Sequence, residues 1–288
     1  MHITDINNLR DLKLFALSER KGICWETIAF AGFVLAAIII TTYLAFVGLI
    51  PLWLGAIFNS FWMLQGYTTA HECVHKNVHG GSKRFRWLNS VIGRIEFMCP
   101  LHSYAMHEHV HHIHHRHTND PKRDVDFYVA KTPNLFIAIA RSYIFYFYAT
   151  YHAFKTAHMH PHPKRYVTQA VIELAIPYSI AITLCVMGYR AEVFFLWVIP
   201  AINTFAGVVF FFGWAPHRIL ENGNQLTTTR IFAAPHTIKG RLFTWLYNFH
   251  NYHLIHHLFP FAPWNSLERI YDRGKHVLER EGALISRI

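Results

Sequence analysis

The sequence carries little charge for its length, because Asp, Glu, Lys and Arg make up only 15% of the 288 residues, against roughly 25% in soluble domains. Cysteine is scarce as well: Cys24, Cys73, Cys99 and Cys185 lie far apart, without the spacing of an iron–sulfur cluster. The first 24 residues are polar, so we expect no cleaved signal peptide. With 52% hydrophobic residues, these absences exclude a disordered chain and a disulfide-stapled secreted miniprotein.

The sequence instead contains long apolar runs. Four of them are long enough to cross a hydrocarbon core of about 30 Å, namely residues 25–50, 52–70, 168–189 and 193–214. The first two and the last two are separated by very short links, which predicts two antiparallel transmembrane hairpins. The fold expected is an all-α integral membrane protein in a single domain, residues 1–288, with a cytoplasmic helical cap formed by residues 71–167 and 215–288.

The distribution of basic residues predicts the orientation. The formal net charge is +10, and every Lys and Arg except Arg190 falls in residues 1–24, 71–167 or 215–288. The positive-inside tendency makes that side cytoplasmic, so we expect both termini in the cytoplasm, at the inner or plasma membrane if the source is bacterial. The charge is thereby explained without nucleic-acid binding, which we do not expect. Residues 134–154, aromatic and nearly uncharged, are interpreted as an interfacial or membrane-dipping helix.

Histidine is the residue present in excess, with 23 copies against 17 acids. Three clusters stand out, HECVH at 71–75, HHIHH at 111–115 and HLIHH at 253–257. Positions i and i+3 or i+4 share one face of a helix, so each cluster directs imidazoles toward one place. Eight such nitrogens are too many for one ion and suit two. Iron, copper, nickel and zinc all fit imidazole ligands, and spacing does not choose among them.

Two other interpretations of these clusters compete. HECVH alone matches the HExxH motif of zinc peptidases, with Glu72 as general base, but a peptidase needs only one further ligand. A metal-storage or transport segment is usually a low-complexity loop, whereas these clusters have helical spacing and lie far apart. His217, just after the fourth run, is positioned to add one nitrogen, while the roles of His79 and His250 stay open.

The three clusters, in their order between two membrane hairpins, resemble the histidine boxes of the membrane-bound fatty acid desaturase superfamily, which includes fatty acyl desaturases and carotenoid ring hydroxylases and ketolases. The quoted boxes are HECVH, HIHHRHTNDPKRDVD and NYHLIHHLFPFAPW. The resemblance implies two non-haem iron ions. It implies one set of ligands formed by His71, His75, His111, His115 and His256, and a second formed by His114, His217, His253 and His257. No catalytic side chain beyond these ligands is expected.

The same resemblance implies an O2-dependent oxidoreductase that desaturates or hydroxylates a lipid, with a carotenoid ring hydroxylase or ketolase as the alternative. Two electrons would come from an external donor of ferredoxin or cytochrome b5 type. The sequence departs from some acyl desaturases at Gly213, where they carry asparagine, and at Arg123 and Val125 in the acidic stretch after the second box. Asp120, Asp124 and Asp126 are candidates to orient ligand imidazoles, with a solvated acidic turn as the equal alternative.

Overall fold

A computed structural model describes residues 6–20, 22–220 and 223–288. The chain is mostly helical. In order, its elements are α1 (Leu9–Glu19), α2 (Trp25–Phe46), α3 (Leu52–Val74), α4 (Trp87–Met98), α5 (Tyr104–Arg116), α6 (Phe127–Ala130), α7 (Leu135–Lys155), α8 (Pro163–Val186), α9 (Arg190–His217), β1 (Ile231–Ala233), α10 (Ile238–Leu246), α11 (His253–Leu258), α12 (Leu267–Arg280) and β2 (Ile285–Arg287).

Three helices in the described part of the chain are long and apolar enough to cross a membrane: α2, α8 and α9. They suggest a membrane protein. The second apolar run forms α3, which does not reach the same apolar content, so the fourth expected span is not confirmed. The interfacial helix expected at residues 134–154 is the 21-residue α7, which is not among the three.

Polar side chains lower the apolar content of α3, and these side chains face protein. Asn59 Nδ2 donates to Thr42 Oγ1 of α2 at 2.9 Å and to the carbonyl of Leu196 in α9 at 3.0 Å. Gln65 Nε2 donates to the carbonyl of Leu246, the last residue of α10, at 3.3 Å. Helix α3 is thus the central helix, packed against α2, α4 and α9. A polar group in a membrane is tolerated where a protein partner satisfies it.

The two expected hairpins differ in their packing. Helices α2 and α3 pack along each other, and Gly48 takes a positive φ of 79° in the link between them. Helices α8 and α9 are joined through Gly188, with φ 104°, but they pack together mainly near that turn. The middle of α9 packs against α3 and α7 instead, while α8 packs against α4 and α5. The second pair is therefore splayed rather than a tight antiparallel hairpin.

The two ends of the chain pack together. Helix α1 lies on α12, where Leu12 fills the space that a side chain at position 274 would need, so Gly274 permits the close approach. Arg269 Nη2 lies 2.6 Å from Glu19 Oε2 across the same contact. Strands β1 and β2 form a two-stranded parallel sheet in register Ile231–Ile285, an element that the all-α expectation lacked. Its three residues per strand are too few for a periodic sequence signal.

Candidate metal centre

Four helix ends carry the predicted ligands to one place. His71 lies in the last turn of α3 and His75 caps it, and His217 is the final residue of α9. Helix α5 presents His111, His114 and His115, and the short α11 presents His253, His256 and His257. Helical spacing puts each i, i+4 pair on one face, so a rigid backbone aims both rings at the same point.

The first histidine group consists of His71, His75, His111, His115 and His256, whose donor atoms all lie within 4.8 Å of one another. Its centre is the Nε2 atom of His111, which lies 2.9 Å from the Nε2 atoms of His71, His75 and His115. His256 Nε2 lies 3.0 Å from His115 Nε2. One imidazole nitrogen has either one proton or one lone pair, so it cannot make three hydrogen bonds at once. The nitrogens converge as ligands do.

The second histidine group consists of His114, His217, His253 and His257. His253 Nε2 lies 3.0 Å from His217 Nε2 and 3.1 Å from His257 Nε2, and His257 Nε2 lies 3.3 Å from His114 Nε2. The two groups adjoin, since the rings of His115 and His257 stack at 4.3 Å. Both groups therefore share helices α5 and α11.

The donor set fits a pair of first-row metal ions. Imidazole nitrogens bind such ions at about 2.1 Å, so ligands at right angles lie about 3.0 Å apart and tetrahedral ligands about 3.4 Å. The 2.9–3.0 Å spacings around His111 and the five nitrogens of the first group favour a site with more than four positions. No cysteine or carboxylate belongs to either group among the described residues, which disfavours the thiolate-rich structural zinc sites.

Burial prepares these side chains for a metal. It is the main cause that lowers the pKa of His115, His253, His256 and His257 well below its ordinary value, with neighbouring imidazoles adding to the effect. The rings are then neutral at neutral pH, which leaves one lone pair on each for an ion. His114 is different: burial lowers its pKa, but Asp124 and Asp126 outweigh burial and raise it to about 9.

Comparison with known proteins decides the family. The sequence profile of the fatty acid desaturase family matches residues 48–288. The chain belongs to the fatty acid desaturase family. No curated protein matches the sequence significantly. Family membership implies oxidoreductase activity in general and, typically, dependence on a metal, and the two histidine groups of this desaturase-family protein are compatible with a metal site.

Carboxylate and carbonyl groups hold the outer nitrogens of two ligand candidates in the desaturase-family protein. His114 Nδ1 donates to Asp124 Oδ1 at 2.8 Å, with Asp126 Oδ2 farther away at 3.6 Å. His217 Nδ1 donates to the carbonyl of Thr228 at 3.1 Å. Such bonds fix the ring orientation and turn Nε2 toward the group. Asp120 plays no such part, because it accepts the backbone N–H groups of an exposed turn.

His250 contacts the first histidine group from outside it. Its Nδ1 donates to the carbonyl of Asn248 at 2.9 Å, so its Nε2 is left to accept from His71 Nδ1 at 3.3 Å. His250 therefore orients a ligand candidate and is not a member of either group. His79 lies elsewhere, where Asn89 Nδ2 donates to its Nδ1 at 2.9 Å. The i−3 spacing from His253 was the sequence signal for His250, and it did not reveal which nitrogen the ring would contact.

Glu72 is buried but points away from the histidine groups. Its carboxylate accepts from the backbone N–H of Trp264 and from Asn77 Nδ2, both at 3.3 Å. It therefore connects the first box to the end of the third box. A zinc peptidase needs this glutamate beside the metal-bound water. The geometry gives Glu72 a structural role instead.

An apolar cavity of about 60 Å³ meets both histidine groups. His71 and His111 of the first group and His114 and His253 of the second line its wall, which continues along mainly apolar side chains between α3, α4, α5, α7 and α9. Gly213 also lines it, and its missing side chain leaves the Asp126 carboxylate beside the α9 backbone. Just before His217, α9 widens into a π-helical turn over Val209–Trp214, a local distortion common at functional sites.

Proposed function

We propose that the protein is a membrane-embedded non-haem di-iron oxidoreductase that uses O2 and two external electrons to desaturate or hydroxylate an unactivated C–H site of a lipid. The observation that carries this proposal is the contact between both histidine groups and one apolar cavity. A hydrocarbon chain in that cavity would lie against His111 and His253, at the edge of the two groups. Family membership supports the oxidoreductase class.

The ligands we propose are the nine gathered histidines. His71, His75, His111, His115 and His256 would hold one iron, and His114, His217, His253 and His257 would hold the other. When bound, the pair would supply the O2 chemistry that acid–base side chains cannot perform on an unactivated C–H bond.

The protein's own contribution is placement and exclusion of water. Buried imidazoles present their Nε2 atoms from helix ends, and Asp124 and His250 keep two of the rings in orientation. The cavity wall, with side chains such as Val209 and Phe212, holds an apolar substrate away from water and restricts which carbon faces the histidines. No acid–base side chain other than the ligands is required by this proposal, and electrons would come from a separate ferredoxin- or cytochrome b5-type donor.

A linear acyl chain is the substrate we favour, because the fatty acid desaturase profile matches most of the chain. The test is expression in a carotenoid-producing host together with a ferredoxin-type donor, followed by mass spectrometry of lipids and pigments. We expect acyl chains with an added double bond or hydroxyl group. A hydroxylated or ketolated carotenoid ring, with unchanged acyl chains, would instead assign the carotenoid alternative.

Two variants make the test specific. His256→Ala removes a proposed ligand and is expected to abolish the new product. His236→Ala is the matched control, because His236 is an exposed histidine near Asp272 and outside both groups, and the product should persist. Unchanged lipids and pigments with iron-loaded protein and a working donor would contradict the proposal.

A further inference from the structure

Outside the histidine groups, two polar groups in the wall of the apolar cavity have no hydrogen-bond partner among the described residues; Nδ1 of His253, a ligand candidate in the same wall, is a third such atom. Oε1 of Glu96 and Nδ1 of His102 are both buried and lack a hydrogen-bond partner among the described residues, and both side chains line the cavity. The residues are only 4% and 3% exposed. Buried polar groups in folded proteins are nearly always hydrogen-bonded, so two orphans in one cavity indicate that something polar belongs there.

Contacts with the neighbouring helix α3 determine the position of Glu96. Helix α3 has a glycine at position 66, and a Cβ atom there would lie 2.6 Å from Glu96 Oε2. Thr69, one turn further along α3, lies near the same side chain, and its hydroxyl donates to the carbonyl of Gly66 at 2.9 Å. Oε2 of the carboxyl group thus lies against α3, whereas Oε1 has no hydrogen-bond partner among the described residues. Burial raises the pKa of Glu96 to about 8, so at neutral pH the carboxyl group is mainly protonated and can donate as well as accept.

His102 is held by aromatic rings rather than by polar groups. Its ring lies edge-on to Phe205 at 5.0 Å and to Tyr146 at 5.6 Å between centroids. Burial lowers its pKa to about 4, so the ring is neutral, with one N–H donor and one acceptor nitrogen. Neither Glu96 nor His102 then brings a net charge to the cavity.

The uncharged pair decides which ligand chemistry fits. A carboxylate or an ammonium group would lose its hydration there without gaining a partner of opposite charge. A plain hydrocarbon would leave both orphan atoms unsatisfied. A hydroxyl group is both a donor and an acceptor, so it can satisfy an orphan atom of either kind.

We propose that Glu96 and His102 form a subsite that binds a hydroxyl group carried by the apolar substrate. This inference rests on the proposed function, because it assumes that the substrate occupies the cavity. The rings of His102 and His107 are 6.2 Å apart, and those of His107 and His111 are 5.4 Å apart, so the His102 side of the subsite is linked to the first histidine group through one intervening ring. A hydroxyl group anchored there would determine which carbon faces the histidines, so the pair would set the position of reaction.

The test measures binding, not turnover. Full-length iron-loaded protein in detergent, kept anaerobic, is given methyl stearate or each of its monohydroxy positional isomers, and displacement of a fluorescent octadecanoyl ester is recorded. We expect at least one hydroxy isomer to bind about tenfold more tightly than methyl stearate, the gain typical of satisfying buried polar groups.

Three variants and a control test whether Glu96 and His102 cause the preference for a hydroxy ester. Glu96→Leu and His102→Phe should each remove most of it while changing the affinity for methyl stearate by less than about twofold. Glu96→Gln should keep part of the preference, because the amide still hydrogen-bonds, and it carries the test if Glu96→Leu does not fold. Phe97→Leu alters the same wall without removing a polar group, so it should affect both esters alike.

The outcomes separate the two proposals. If esters bind but no isomer is preferred, or if the preference persists in both Glu96→Leu and His102→Phe, the subsite is wrong and water satisfies the two atoms. If no ester displaces the probe at all, the lipid cavity of the proposed function fails together with the subsite.

Discussion

At the scale of single residues, Asp124 is the side chain whose contacts are most specific. Its Oδ1 accepts from His114 Nδ1 at 2.8 Å and from the backbone N–H of Asp126 at 2.9 Å, and its Oδ2 accepts from the backbone N–H of Asn119 at 2.7 Å. Three donors around two oxygens define one orientation of the carboxylate. The imidazole of His114 is therefore fixed through its Nδ1 atom.

Replacing Asp124 by asparagine is expected to weaken metal binding by the second histidine group. The amide keeps the shape but turns one acceptor oxygen into a donor that faces another N–H. Outer carboxylate partners of this kind typically contribute about 10- to 100-fold in metal affinity. The measurement is the iron retained per chain by purified Asp124→Asn protein against increasing chelator.

Asp120→Asn provides the matched control, since Asp120 only accepts from the backbone of Lys122 and Arg123 in an exposed turn. It should retain iron as the unaltered protein does. Equal retention in both variants, or an equal loss in both, would show that Asp124 does not support the site.

The sequence predicted which residues belong to the site better than it predicted their contacts. Helical spacing indicated which histidines share a face, and family resemblance divided them into two sets, which the structure gathers as two groups. Their service as ligands stays a proposal. Asp124 was one of three candidate carboxylates, and the sequence did not choose among them or exclude a solvated turn. The roles of His250 and Glu72 could not be predicted, because each depends on a group that lies far away in the sequence or on which ring nitrogen is turned toward it.

At the scale of helices, Glu173 links a membrane span to the helix of the second box. This α8 side chain accepts from Ser103 Oγ at 2.7 Å and from the backbone N–H of Ala105 at 2.8 Å, both at the N-terminal end of α5. Its other oxygen accepts from Arg94 Nε at 2.7 Å and from Gln169 Nε2 at 2.9 Å. A carboxylate at a helix N-terminus satisfies free N–H groups and complements the helix dipole.

Glu173→Ala is expected to destabilise the protein by about 2 kcal/mol, because several partly buried donors lose their acceptor. Helix α5 supplies ligand candidates to both histidine groups, so iron retention should fall with stability. Denaturant unfolding in mixed micelles, with iron determined on the same samples, makes the measurement.

The control for this change is Glu26→Ala, which removes an exposed carboxylate at the start of α2. It should cost well under about 1 kcal/mol. A Glu173→Ala protein as stable as Glu26→Ala would show that the capping contacts carry little energy.

Element boundaries were predictable to within a few residues where apolar runs are long, as for α2 and α8. The packing of α9 was not, because its contacts with α3 and α7 are made between residues far apart in sequence. The two π-helical stretches of α9, Phe194–Val198 and Val209–Trp214, leave no pattern that differs from an ordinary apolar helix. The short strands β1 and β2 were not predicted, because three residues are too few to show a periodic hydrophobic pattern.

At the scale of the whole molecule, the contact between α1 and α12 bears on the topology. Because these helices pack together, α1 and α12 would lie on the same side of a membrane that the chain crosses. An even number of crossings is needed for that, so we propose that α3 spans the membrane together with α2, α8 and α9.

Fusion reporters test this arrangement. We expect a fluorescent protein at either terminus to report the cytoplasm, and alkaline phosphatase inserted after residue 49 or 189 to be active on the opposite side. Insertion after residue 82 is the internal control and should be inactive. Termini on opposite sides would mean three spans and would remove α3 from the membrane.

Both histidine groups include residues of α11, the last of the contributing helices in chain order. Neither group can be completed while the ribosome is still making the first 250 residues, so under the proposed function both iron sites would gain their full set of ligands only after the C-terminal segment has folded back. Since α5 and α11 serve both groups, the arrival of one ion would preorganise the rings awaiting the other, and maturation would proceed cooperatively from an empty to a fully loaded enzyme.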